Sequence, residues 1–217
     1  MALVFMSGAE WGTLKEFDED TGNIVSDKKR SGSYALRVGH TFGNKKILPQ
    51  SLSEAFVQFA FYPETSGAWT FFALRKGATD IVSIRKNASE RLEVCQGWGG
   101  TIYCTGVTVL QLNTWYVVEL HFRLDDTNGL IELRVEGNPE CSFAGDTKPG
   151  AEEDFDTLRF YAPGATFCCF DDVIVFDTSG EVNNSWPGGL KVVLLKPNAW
   201  LWTKLWTKPG QPTKQKA

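Results

Sequence analysis

The sequence predicts an all-β fold, a sandwich or barrel of antiparallel strands. Three observations predict it. Hydrophobicity alternates with a period of two along much of the chain. Turn signals separate the alternating runs at short intervals, and no stretch before residue 197 carries a convincing helical pattern.

The elements follow in order. Residues 1–15, "MALVFMSGAEWGTLK", read as a lead-in with one short apolar strand. Residues 16–179 read as one compact β domain, and residues 180–217 as an appended arm, because the composition changes near Gly180. Within the domain, strands are expected at "YALRV" (34–38), "AFVQFAFY" (55–62), "WTFFALR" (69–75), "DIVSIRK" (80–86), "RLEVC" (91–95) and "TIYC" (101–104). "WYVVELHFR" alternates Val118, Leu120 and Phe122 against Glu119, His121 and Arg123. "GLIELRVEG" sets Ile131, Leu133 and Val135 against Glu132, Arg134 and Glu136. Asn128-Gly129 between these two is a hairpin signal, since both residues tolerate positive φ. "TLRFYA" (157–162), "FDDVIVFD" (170–177) and "LKVVLL" (190–195) complete the set.

Composition narrows the function. The chain has 217 residues, 42% hydrophobic and 22% charged, and a net charge of −4. That is a globular protein without the basic stripe of a nucleic-acid binder. The N-terminal apolar run is too short for a signal peptide or a membrane span, so synthesis in a cytosol and no membrane insertion are expected. The five cysteines (95, 104, 141, 168 and 169) show no CxxC spacing, and His40 and His121 lie far from them. Free buried thiols are expected, with a Cys95–Cys104 cross-strand bridge as the alternative, and folding that needs neither metal nor disulfide.

Candidate chemistries each meet a plainer reading. "EFDED" (16–20) suggests a glycosidase, whose chemistry needs two spaced carboxylates. The E-x-D-x-x-E pattern of β-sandwich glucanases would need a second glutamate where Thr21 stands. "EEDFD" (152–156) lacks the pattern too, so both read as solvated loops. Asp125, Asp126 and Asn128 could offer oxygens to calcium, but the hairpin explains them. Asp171 and Asp172, as strand neighbours, should point to opposite faces. No G-x-S-x-G, Cys–His pair or phosphate loop occurs. No catalytic residue, cofactor or metal is therefore expected. Trp69 and Trp115 begin strands and read as core. Trp98, in the glycine-rich "QGWGGTIY" with Tyr103, is the candidate for stacking on a sugar.

The segment "FDDVIVFDTSGEVNNSWPGGLKVVLLKPN" resembles a motif of tailed-bacteriophage virion structural proteins that carry a concanavalin A-like (laminin G or pentraxin-type) jelly roll. Asp171, Asp172, Asp177, Gly180, Val182, Asn183, Asn184, Gly188, Val192, Leu195, Pro197 and Asn198 match it. "MALVFMSGAEW" and the hairpin around 115–137 are similar to other parts of such proteins. "SWPGG" lacks the acidic residue often seen after the glycine, and the tail beyond Asn198 is short and rich in Trp, Lys and Pro. The resemblance implies a jelly-roll sandwich of two antiparallel sheets with a C-terminal arm. It implies a non-enzymatic component of the particle exterior, a capsid decoration or tail part located in the virion. Its partners would be other virion proteins and copies of itself. A lectin-like adhesin for host surface glycans, with Trp98 and Tyr103 as the binding pair, is the alternative, and a glycoside hydrolase a third reading.

The arm carries Trp200, Trp202 and Trp206 with Leu201 and Leu205, and Trp186 precedes them. Burying three indoles at ~150–250 Å² each is worth a gross ~11–19 kcal/mol at ~25 cal/mol per Å². A short strand or helix there is unstable alone. These six residues are therefore expected to form an assembly interface, with folding back on the sandwich as the competing arrangement.

Overall fold

The computed structural model describes residues 3–39, 43–179 and 185–194. Its strands are β1 (Leu3–Ser7), β2 (Glu19–Asp20), β3 (Asn23–Val25), β4 (Ala35–Gly39), β5 (Gly43–Leu52), β6 (Glu54–Pro63), β7 (Trp69–Lys76) and β8 (Thr79–Lys86). They continue with β9 (Leu92–Gln96), β10 (Ile102–Thr105), β11 (Tyr116–Arg123), β12 (Gly129–Val135), β13 (Asn138–Gly145), β14 (Phe155–Tyr161) and β15 (Phe167–Asp177). One sheet has the order β13-β12-β11-β6-β15-β4-β3, with β1 also on β15. The other runs β10-β9-β8-β7-β14-β5-β2. The chain passes repeatedly between the two sheets, and the described pairings are antiparallel. This is the antiparallel sandwich that alternation predicts, in the concanavalin A-like jelly-roll form that the resemblance implies.

The period-two pattern explains the packing. Val118, Leu120 and Phe122 of β11 and Ile131, Leu133 and Val135 of β12 all turn into the core. The centre is aromatic: Phe59 and Phe61 of β6, Phe71 and Phe72 of β7, Phe160 of β14 and Phe170 of β15 are fully buried. Phe61 stacks on Phe71 at 4.0 Å, and Phe160 meets Phe170 edge-on at 4.9 Å. Trp69 is buried with them, as expected, while Trp115 is half-buried against Tyr62.

Several expectations are corrected. β2, β3, β5 and β13 are strands that alternation did not reveal. "GNKKILPQSL" and "NPECSFAG" carry Pro, Asn and charge among their apolar residues, and tertiary pairing decides them. The β11–β12 connection is a hairpin, but Gly129 does not supply a positive φ. A side chain there would meet Thr147 Oγ1 at 2.2 Å, so close approach is what requires glycine. The described part of "LKVVLL" is no strand. Residues 186–194 form an irregular strap over the outer face of the eight-stranded sheet. Gln58 Oε1 accepts from the Gly189 and Leu190 amides, Glu119 from the Gly188 amide, and Asp172 from the Val192 amide. This strap buries Glu119 and most of His121, although alternation points both outward.

The cysteines also differ from expectation. Cys104 is bonded to Cys141, with Cα atoms 5.7 Å apart, joining the edge strands β10 and β13 of the two sheets. Cys95 lies opposite Ile102 and not Cys104, so the alternative bridge has no register to form in, and Cys95 stays a buried thiol with Cys168 and Cys169. Asp171 and Asp172 do not diverge. The register of β15 on β6 shifts after Asp171, and Asp172 adopts φ +49°. Both carboxylates then face one loop: Asp171 accepts from the Arg30 and Ser31 amides, and Asp172 from Arg30 Nη1 and Ser31 Oγ.

Candidate functional site

A cleft of about 580 Å³ lies on the outer face of the seven-stranded sheet, lined by Asp18, Glu19, Thr21, Gly43, Lys45, Arg75, Arg159 and Tyr161 among others. Strand alternation builds it. Leu158 and Phe160 of β14 turn to the core, so Arg159 and Tyr161 turn out. Lys45 on β5 and Ala73 on β7 flank Arg159 across the ladder, and Arg75 lies two residues beyond Ala73.

Electrostatics organise the floor. Asp80 of β8 lies 2.7 Å from Arg75 and 3.5 Å from Arg159, so one carboxylate serves two guanidiniums. Within this group of three, one positive charge is left in excess. Lys45 pairs with the largely exposed Glu19 at 3.0 Å, a contact worth little in water. The Arg159 guanidinium stands 4.2 Å over the Trp98 ring and 4.8 Å over the Tyr161 ring, and the two rings meet edge-on at 5.2 Å. The aromatic rings hold the arginine's plane, and Asp80 holds its charge. The arrangement suits a planar anion such as a carboxylate, which guanidinium groups bind in bidentate fashion, next to ring faces that stack on sugars.

Of the two candidate sugar-stacking residues, Trp98, about a third exposed, adjoins this cleft through its contacts with Arg159 and Tyr161. Tyr103 does not. Its ring packs on Phe143 at 4.8 Å with its hydroxyl buried, and burial first of all pushes its phenol up to about 12. It is a core-edge residue, and the aromatic partner of Trp98 is Tyr161. Trp186 lies on the opposite side of the molecule, on the strap, beneath Arg134 at 3.9 Å and against Phe56 and His121. Trp200, Leu201, Trp202, Leu205 and Trp206 lie outside the described residues.

The "EFDED" segment brings Asp18 and Glu19 to the cleft, but both carboxylates are already engaged. Asp18 accepts from the Ile47 amide and faces Lys46, Glu19 pairs with Lys45, and Glu16 accepts from Ser7 Oγ. Asp125 accepts from the Thr127 and Asn128 amides, which explains it as a turn residue. Among the described residues no group of three or more His, Cys, Asp or Glu side chains could hold a metal ion. Sequence reading missed Arg75, Arg159, Tyr161 and Lys45. Each lines the cleft from a different or distant strand position, and only strand order brings them onto one patch.

No family model and no curated protein matches the chain. Solved structures of the same sandwich do. An endo-β-1,4-glucuronan lyase from the fungus Trichoderma reesei is similar at a TM-score of 0.58 and 16% identity, covering 85% of this chain and 100% of that one. The alginate lyase Aly36B is similar at 0.51 and 12%, covering 83% and 94%. A sialidase is similar at 0.53 and 11%, covering 82% of this chain but only 19% of that one. At these identities the likeness establishes the jelly-roll fold. It also corrects the expectation of a non-catalytic protein. That expectation rested on the missing carboxylate pair, on the lack of nucleophile, phosphate-loop and metal motifs and on the virion resemblance, and the same sandwich carries lyases. The virion resemblance of residues 170–198 concerns other surfaces, and these likenesses are silent on it.

Proposed function

We propose that the protein is a carbohydrate-active protein that takes a uronic-acid polysaccharide into the cleft over β2, β5, β14 and β7 and cleaves it by β-elimination. The observation that supports this best is the Arg75–Asp80–Arg159 group beside Tyr161 and Trp98. Likeness over 85% and 83% of the chain to a glucuronan lyase and an alginate lyase favours the same reading.

The chemistry suits the residues. A uronate carboxylate paired with Arg159 and Arg75 loses much of its negative charge, and the neighbouring C5 proton becomes more acidic. The phenol oxygen of Tyr161 takes that proton as its own hydroxyl proton moves to the departing oxygen. The electron pair forms the C4–C5 double bond and the C4–O bond breaks. Trp98 stacks on a sugar ring and fixes its height above the floor.

Glucuronan and alginate are incubated with the protein while the unsaturated product is followed by ultraviolet absorbance and binding by calorimetry. Binding with product formation, lost in Tyr161→Phe while binding persists, supports the reading. Neutral β-glucan should not bind. Equal affinity for neutral and acidic polymers, or no binding to either, refutes it.

A further inference from the structure

We infer that the Trp98 turn dams the cleft, so that the site holds a short uronate segment and gains nothing from sugars beyond it. This rests on the polysaccharide reading above. A plain hairpin between β9 and β10 would carry the chain beyond Gln96, away from the body of the sheet. Here it folds back. The Gly99 amide donates to Ser83 Oγ at 3.0 Å, on the neighbouring strand β8 and one register step inward of Gln96, which pairs with Val82. The Trp98 ring reaches Tyr161 on β14, three strands from β9. Three strand spacings span about 14 Å, so the turn crosses over β8 and β7 to get there. Positive φ angles of +57° at Gly97 and +69° at Gly99 make the reversal possible.

What lies beneath the turn agrees. Ala73, Ser83 and Cys95 are in register across β7, β8 and β9 on the outer face, and all three are fully buried. Outer-face residues of a sheet are fully buried only when something covers them, and their small size leaves room for the turn. The outer face therefore has two parts. From β7 to β9 it is roofed by residues 97–100, and from β2 to β7 it is the open cleft. A polymer crossing the strands from the β2 edge meets the Trp98 ring beside Arg159 and can go no further across the sheet.

Affinity for a uronate ladder from disaccharide to hexasaccharide, measured by calorimetry, tests this. In the native protein affinity should level off by the trisaccharide. In Trp98→Ala it should keep rising, by about tenfold from trisaccharide to hexasaccharide. Ser83→Ala, which removes only the hydroxyl that anchors Gly99, should shift the ladder in the same direction. A steady rise in the native protein overturns the dam while leaving the polysaccharide reading intact. A ladder unchanged in both variants overturns it too. Absence of binding at every length removes the polysaccharide reading and this inference with it.

Discussion

Stability should fall as pH rises from acid toward neutrality, because of one carboxyl group. Asp171 is almost wholly buried in the bend of β15. Burial pushes its carboxyl up from 3.8 to about 7, and the neighbouring Asp172 adds to the rise. The amides of Ser31, Arg30 and Asp172 donate to it and offset only part of this. A raised carboxyl means that the folded state holds its proton more tightly than the unfolded chain. The favourable contribution is then full below 3.8 and is lost as pH climbs through about 7. A rise of that size corresponds to about 4 kcal/mol. Urea denaturation at a series of pH values, for the native protein and Asp171→Asn, reads this directly. The variant loses acceptor capacity for the backbone amides, which costs about 1–3 kcal/mol at every pH. Its stability should nevertheless lack the fall between the two pH limits. Parallel profiles for the two proteins would show that the carboxyl is already ionised in the fold and refute the reasoning.

Other outcomes follow from the same structure. Lys86 is fully buried, with its ammonium held by Glu90 and by the Thr65 carbonyl at 3.0 Å. Glu90→Ala should cost about 3–5 kcal/mol in urea unfolding by leaving a buried charge unpaired, and a loss under about 1 kcal/mol counts against the pair. Replacing Cys104 and Cys141 by serine opens a cross-link with sequence separation 37. Chain entropy then predicts a loss of about 4 kcal/mol, or about 10 °C in Tm, seen equally on adding reductant to the native protein. An unchanged Tm would contradict a bond between β10 and β13. Arg159→Ala should weaken uronate binding by about tenfold and leave the melting temperature unmoved, since its side chain faces the cleft and not the core.

The sequence by itself determined the fold class and most of the core. Where one face of a strand is buried, burial writes a period of two into the residues, as in Val118-Leu120-Phe122 and Ile131-Leu133-Val135. It also singled out Trp98, since a tryptophan among Gly97, Gly99 and Gly100 has no local surface to bury it. Other features depend on which strands become neighbours, and local pattern does not carry that information. Arg75, Asp80 and Arg159 come from β7, β8 and β14, and they form a group only because β14 inserts beside β7. Cys104 meets Cys141 because the edges of two sheets converge. Asp171 and Asp172 face the same loop because a register shift breaks the alternation that predicts opposite faces. The strap over Gln58, Glu119 and Asp172 buries polar groups that their own strands present to solvent. Periodicity is a property of one strand and its nearest layer. A site assembled across strands, or a face covered by a distant segment, is decided by tertiary contacts whose free energy appears only once the sandwich has closed.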